Sequence, residues 1–461
     1  MGLCLLIREK NVKMTEMSSL STNPYKGTRD YYPADKRRQN YIFGVWARAA
    51  RRFGYEEYAA PLLEPLEVYA AKSGQELVGE QTYQFVDRGD REVVIRPEMT
   101  PSISRMVAAK RQEMPYPARL FSIANFMRYE RPQRGREREF WQLNADIFGA
   151  EGMQADAEII VLGAEILKAF GATPDMYVVK VNSRKVIDAM MHDFLGLDPI
   201  QAPLMVKLFD RKSKISNEDF RDQAIEIFGR ESAAEGLSRI AQLLVASGID
   251  KLPKEIAENP AVEELAGLFT ELKERGVTNA QFDITLMRGF DYYTGTVFEF
   301  FDTHPDNNRA MFGGGRYDGL VGLFGAEPLS AVGMAPGLTM MEVFLESHGL
   351  MPELSSTTEM YIAVLGEGNL PGASRLATRL REEGVNVELD FTGRKIDRQI
   401  KTAVKKQIPY VLFVGEQELK SEKYNLKDTH SGEEESLSFE RLVTRIKDVR
   451  RKYSVEDELF E

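Results

Sequence analysis

FSIANFMRYERPQRGREREFWQLNADIFG, residues 121–149, carries two kinds of pattern at once. Apolar residues alternate as far as Met127, arginines and acids crowd around Pro132 and Gly135, and the alternation resumes through Phe140, Leu143, Ala145 and Ile147. A strand, a charged loop and a returning strand are expected from it. The loop gathers Arg128, Arg131, Arg134, Arg136 and Arg138. Guanidinium groups grip phosphates with two hydrogen bonds each, so a polyanion is one natural partner. A solvated loop held by surface ion pairs is the other reading that charge alone allows.

Upstream, residues 25–33 are turn-rich, and Asp35 is placed to cap a helix that runs to about Phe53. Pro61 and Pro65 restrict the next extended stretch to an edge. Two apolar arms around Arg88, Gly89 and Asp90 read as a β-hairpin, which delivers Arg96-Pro97-Glu98-Met99-Thr100-Pro101 to a helix starting near Ser102. Downstream, helical periodicity covers residues 155–170, a short strand residues 177–181, and amphipathic helix nearly everything from His192 to Gly276. Strand pattern resumes at Phe282 and is expected to continue through RGFDYYTGTVFEFFD, residues 288–302. Gly313, Gly314 and Gly315 read as a turn before an apolar helix that ends near His348.

Hairpins interleaved with helices indicate an α+β fold with an antiparallel sheet core. Beyond polar residues 351–358, strands at 360–364, 385–389 and 410–414 alternate with two helices, the pattern of a small, mostly parallel α/β unit. Residues 431–461 read as one charged helix. The expected organisation is a leader (1–20), a large domain (21–350) with a helical insertion (190–276), a linker (351–358) and a C-terminal domain (359–461).

Of the 461 residues 43% are hydrophobic and 28% charged, an ordinary globular balance for two or three domains. A net charge of -11 excludes a generally basic surface, so any nucleic-acid contact must be local. The lone Cys4 forms no internal disulfide, and His192, His304, His348 and His430 lack the close spacing of zinc ligands, so no metal site built from side chains is expected. No apolar run approaches the length of a membrane span, and a reducing, cytoplasmic setting is expected.

Without a Ser–His pair or a core cysteine, the chain is suited to chemistry by positioning and charge stabilisation, such as attack of a carboxylate on a nucleotide phosphate. Glu98 and Thr100 follow a strand; the acid there holds a substrate amino group or simply caps the next helix. Tyr292 and Tyr293 are ligand contacts or core packing. In GRKIDRQIKTAVKK, Lys395, Arg398, Lys401 and Lys405 recur at helical spacing, with Ile396, Ile400 and Val404 on another face. That basic helix is a phosphate-backbone contact or a solvated face.

Together these residues resemble the class II aminoacyl-tRNA synthetases, and among them the histidyl-tRNA synthetase family, over about residues 25–452. Residues 127–142 are similar to that class's FRxERPQxGRxRxFxQ motif, and RGFDYYTGTVFE, residues 288–299, to the family's RGLDYYxxTVFE. RPEMTP and GGGRYDGL are similar to two further family segments, and residues 53–64 to the motif that builds a dimer interface. The resemblance implies ATP-dependent attachment of L-histidine to tRNA(His) through histidyl-adenylate, with Mg²⁺, in a homodimer whose C-terminal domain binds the anticodon. Under it Arg128 and Arg288 face the α-phosphate, Phe140 stacks on adenine, and Glu130 faces the adenine side. Glu98, Thr100, Gln142, Asp146, Tyr292 and Tyr293 hold histidine. Gln133, Arg136 and Arg138 at the loop, with Lys395, Arg398 and Lys401, meet tRNA.

The pattern departs from the family at Met340, where an arginine for the γ-phosphate is implied, and no Lys or Arg stands between Arg316 and Arg375. Two readings follow. Either Mg²⁺ or an arginine of the 128–138 loop, such as Arg134 or Arg136, serves the ATP tail, or the chain is a non-catalytic regulator like the regulatory subunit of ATP phosphoribosyltransferase.

Overall fold

The computed structural model describes residues 20–70, 79, 81–212, 214–246, 248–287, 292–307 and 309–458. The expected leader, apart from Leu20, and the segment Arg288, Gly289, Phe290, Asp291 lie outside the described residues. Eight strands form the main sheet: β1 (Glu56–Glu57), β5 (Ala118–Met127), β6 (Glu139–Phe148), β7 (Tyr177–Ser183), β8 (Ala280–Phe282), β9 (Thr296–Asp302), β10 (Ala310–Arg316) and β11 (Ala331–Met334). A small sheet holds β2 (Leu63–Pro65), β3 (Tyr83–Val86) and β4 (Glu92–Ile95), the last two being the expected hairpin.

In the main sheet the order is β1, β5, β6, β11, β10, β9, β7, β8. The outer pairs β1–β5 and β7–β8 are parallel and every pair between them is antiparallel. β5 and β6 pair over their whole length, Ala118 opposite Phe148 and Met127 opposite Glu139, so the expected strand–loop–strand is the longest hairpin in the sheet. Alternation along β6 sends Leu143, Ala145 and Ile147 into the core against α1 (Pro33–Arg52), α3 (Met153–Ala169) and α5 (Leu338–Ser347). Burying side chains such as Ile159, Leu162, Ile166 and Leu167 of α3 contributes about 1.5–3 kcal/mol each. Deleting one, as in Leu162→Ala, costs about 2–5 kcal/mol. The opposite face of β6 is left for the site.

α2 (Thr100–Ala109) starts directly beneath Glu98, and α4 (Gln201–Asp210) belongs to a run of helices that continues to Glu274. The C-terminal sheet has the order β13 (Val387–Leu389), β12 (Met360–Val364), β14 (Tyr410–Val414), β15 (Lys423–Asp428), β16 (Glu434–Ser438). It carries α6 (Leu370–Glu382), α7 (Ile396–Lys405) and α8 (Phe439–Glu458), with a core of its own around Ile362, Leu376, Leu412 and Leu442. No helix among the described residues is long and apolar enough to cross a membrane.

The structure corrects several expectations. Asp35 is not the N-cap of α1; it lies inside the first turn, where its Oδ2 accepts from the Tyr32 N–H at 3.2 Å, and Pro33 opens the helix. Gly313, Gly314 and Gly315 are not a turn but the middle of β10: a Cβ on Gly315 would stand 2.7 Å from the Thr296 carbonyl oxygen and 3.0 Å from the Tyr293 ring. The strand expected across residues 288–302 begins only at Thr296, so Tyr292 and Tyr293 precede it. The tail is not one helix either. β16 pairs with β15 before α8 begins, and each of those strands buries only one or two side chains, such as Tyr424, Leu426 and Leu437.

Candidate functional site

A cavity of about 1340 Å³ opens against β6, and Phe140, Gln142, Asn144 and Asp146 line it at the two-residue repeat of one strand face. Opposite stand Glu98 and Thr100 at the start of α2, Tyr292 and Tyr293 ahead of β9, and Tyr317 after β10. Arg128, Glu130 and Arg136 line it from the β5–β6 loop. Fifteen of the sixteen candidate residues are among the described residues; Arg288 is not.

The inner end holds two tyrosine–carboxyl pairs whose rings touch. Tyr292 donates its O–H to Glu98 Oε2 at 2.8 Å, and its ring meets those of Tyr293 and Tyr317 edge-on at 5.2 and 5.9 Å. The N-cap of α2 is Met99, not Glu98. Burial raises the Tyr292 phenol far above its ordinary range, so it stays a donor. Tyr317 donates to Asp146 Oδ1. Among the described residues Asp146 Oδ2 has no partner, and burial pushes the carboxyl up to about 7 against the pull of the Tyr317 bond. Asn144 Nδ2 and Arg184 Nε are likewise buried without a partner among the described residues, and both residues line the cavity. A buried acceptor and two buried donors left open cost about 1–3 kcal/mol each until a ligand or water meets them.

The outer end is ionic. Arg128 Nε donates to the Pro97 carbonyl at 2.9 Å, and its guanidinium stands 5.2 Å from the Phe140 ring centroid. Arg136 pairs with Glu130 at 2.8 Å. Arg138 and Gln133 do not line the main cavity. Arg138 donates to the Tyr25 hydroxyl at 3.0 Å and lies 4.1 Å from the Tyr129 ring centroid, while Gln133 accepts from Arg309 at 3.0 Å and borders a separate hollow of about 420 Å³ with Arg136. Arg134 also stays off the main cavity and approaches Asn307 at 3.5 Å.

Arg184, Lys207 and Arg211 line the cavity and were not singled out from the sequence. Arg184 follows β7 as Glu98 follows β4, a strand-end position that is a usable signal; Lys207 and Arg211 reach the site only because α4 folds over it. In the C-terminal unit Lys395, Arg398 and Lys401 are exposed along α7. The expected apolar face needs correcting there: Gln399 and Ala403 are buried, whereas Val404 is 51% exposed. Phe391, just ahead of α7, is 76% exposed.

An antiparallel sheet with a long arginine-bearing hairpin at its cavity, joined to a separate α/β unit, is the architecture of a class II aminoacyl-tRNA synthetase. Solved structures with this fold include a histidyl-tRNA synthetase from Nostoc sp. PCC 7120 (TM-score 0.78, 22% identity, 93% of this chain and 100% of that one). Another is apo histidyl-tRNA synthetase of S. aureus (TM-score 0.67, 24% identity, 93% and 100%). The family profile described as histidyl-tRNA synthetase matches residues 27–341, and one described as anticodon binding domain matches residues 359–449. Relatives include the histidine–tRNA ligases of Leptospira biflexa, 41% identical over 93% of this chain and 98% of that one, and of Haloarcula marismortui, 34% identical over 89% and 94%. The chain belongs to the histidyl-tRNA synthetase family.

Proposed function

We propose that this chain joins L-histidine to tRNA(His), using ATP to form histidyl-adenylate and then passing the acyl group to the tRNA 3′ end. The observation that carries the reading is the cavity wall itself: Asp146 Oδ2 offers an unmet acceptor to an imidazole N–H at the end of a row that begins with an aromatic ring and an arginine at Phe140 and Arg128. In this reading Glu98, Thr100, Gln142, Asp146, Tyr292 and Tyr293 bind histidine. Arg128 spreads charge from the α-phosphate, Phe140 stacks on adenine and Glu130 faces the adenine side. Arg288 is the second cation at the α-phosphate, an assignment that rests on the RGFDYY motif alone. Charge stabilisation by such donors is worth about 10²–10³ in rate per group.

Mg²⁺ supplies further charge at the phosphates when bound. Among the described residues no group of three or more His, Cys, Asp or Glu is arranged to hold a metal, but Mg²⁺ at nucleotides commonly needs only one or two carboxylates, and Glu130 and Glu137 line the cavity. Gln133, Arg136 and Arg138 meet the tRNA acceptor end, and Lys395, Arg398 and Lys401 its anticodon region. Residues 21–350 act as the catalytic domain with 190–276 as its helical insertion, 351–358 as linker and 359–461 as the anticodon-binding domain, in a cytoplasmic enzyme. Exposed Leu62, Leu63, Phe85 and Val86 on the small sheet support pairing of two copies there.

Histidine-dependent exchange of pyrophosphate into ATP tests the reading. Purified protein with Mg²⁺ should exchange; no exchange would leave the regulator reading, which Met340 favours, as the survivor.

A further inference from the structure

Arg29 lies in the turn-rich segment before α1, 313 residues from Glu342, yet its Nη2 donates to Glu342 Oε2 on α5 at 2.6 Å. Its Nε stands 3.6 Å from Glu137 Oε1 in the β5–β6 loop. Glu137 accepts in turn from the Thr339 hydroxyl at 3.3 Å. One guanidinium therefore links a loop carboxylate to a helix carboxylate beside Met340, which carries no charge. The Arg29, Glu137 and Glu342 side chains are 35%, 21% and 14% exposed, so the three charges are only partly screened by water. Burial raises both carboxyls and Arg29 pulls both down, while Glu137 itself raises Glu342. Without the arginine, two carboxylates would face each other across the seam.

The same N-terminal segment grips the loop a second time. The Arg138 N–H donates to the Gly27 carbonyl at 2.7 Å, and a Cβ on Gly27 would lie 2.8 Å from both Pro132 and Arg138 side-chain carbons. The loop also rests on α5: Gly135 has a φ of +78°, and a Cβ there would meet Met340 Sδ at 2.5 Å. Gly135, Arg136, Glu137, Thr339 and Met340 all line the cavity, and Arg29 stands behind them.

We propose that Arg29 is a positioning residue for ATP: by bridging Glu137 and Glu342 it docks the β5–β6 loop on α5 and so presents Arg136 and the loop backbone to the phosphate tail. The proposal rests on the ATP-dependent reading above. Arg29 acts through Glu137 and touches no substrate.

Pyrophosphate exchange and calorimetric titration with ATP test it together. Arg29→Gln should raise the KM for ATP about tenfold, the worth of a charged hydrogen bond, and leave the KM for histidine within about twofold. Arg29→Lys should recover most of that loss, and the calorimetric Kd for ATP should shift by the same factor. Unchanged ATP binding, or equal losses toward ATP and histidine, overturns the proposal. If Arg29→Gln does not fold, Glu342→Gln must show the ATP-selective change, and its absence there overturns the proposal as well. A wild-type protein that binds ATP but exchanges no pyrophosphate refutes the ligase reading, and the ATP titrations still decide for or against Arg29.

Discussion

The two ends of the cavity are built by opposite means. At the inner end Glu98, Tyr292, Tyr317 and Asp146 are buried, hydrogen-bonded to one another and held on strands or at their ends. At the outer end Arg136 and Glu130 pair across a loop with the arginine half exposed, and Arg29 ties that loop to α5. A buried network penalises any ligand that leaves one of its groups unmet, which serves selection among amino acids. Part-exposed ion pairs discriminate little and yield to salt, which suits the proposed role of the loop in admitting a nucleotide and then a tRNA end.

The contrast breaks most readily at the phosphate. Arg128→Ala should lower the exchange rate about 10³-fold with the KM for histidine little changed; a loss that appears mainly in histidine binding would place Arg128 at the wrong end. At the inner end Asp146→Asn should lower kcat/KM for histidine about 10²-fold while raising the melting temperature at pH 8. The sign follows from the carboxyl's position at about 7, above its ordinary 3.8. An unfolded chain ionises Asp146 from about pH 4 upward while the folded chain resists until about 7, so wild-type stability falls across that window, by on the order of a few kcal/mol, and stays down above it. The gain in Asp146→Asn should therefore vanish in melts near pH 4; a gain independent of pH would mean that the carboxyl is not held neutral. The smallest effect is expected where charge is fully exposed: Lys401→Ala should weaken tRNA binding a few-fold and flatten the plot of log K against log salt by about 0.7–0.9. Equal slopes would return α7 to a merely solvated helix.

Legibility in the sequence followed the range of the interactions. The β5–loop–β6 hairpin was readable because alternation over ten residues is a local signal, and the same holds for the βαβ order of the C-terminal unit. β10 was not, since three glycines in a row are turn-formers unless neighbouring strands press so close that only glycine fits, and that pressure comes from β9, β11 and Tyr293. β15 and β16 escaped because each buries only one or two side chains. In the candidate site, Glu98, Asp146 and Tyr292 are legible as residues, but not the pairings of Tyr317 with Asp146 and of Tyr292 with Glu98, which span 171 and 194 residues and leave no periodic trace. Arg29, Lys207 and Arg211 escape for the same reason, whereas Arg184 at a strand end carries a usable signal.

Trp141 gives the site an optical gauge. The chain has two tryptophans. Trp46 is fully buried and stacked on Phe43, sealed in the core. Trp141 lies on β6 between Phe140 and Gln142, borders the cavity, and has the Lys36 ammonium 5.7 Å from its ring centroid. Trp141 lines the cavity and Trp46 does not, so a spectral change on adding histidine or nucleotide is expected to report from the cavity wall, without a label and without altering any residue of the site.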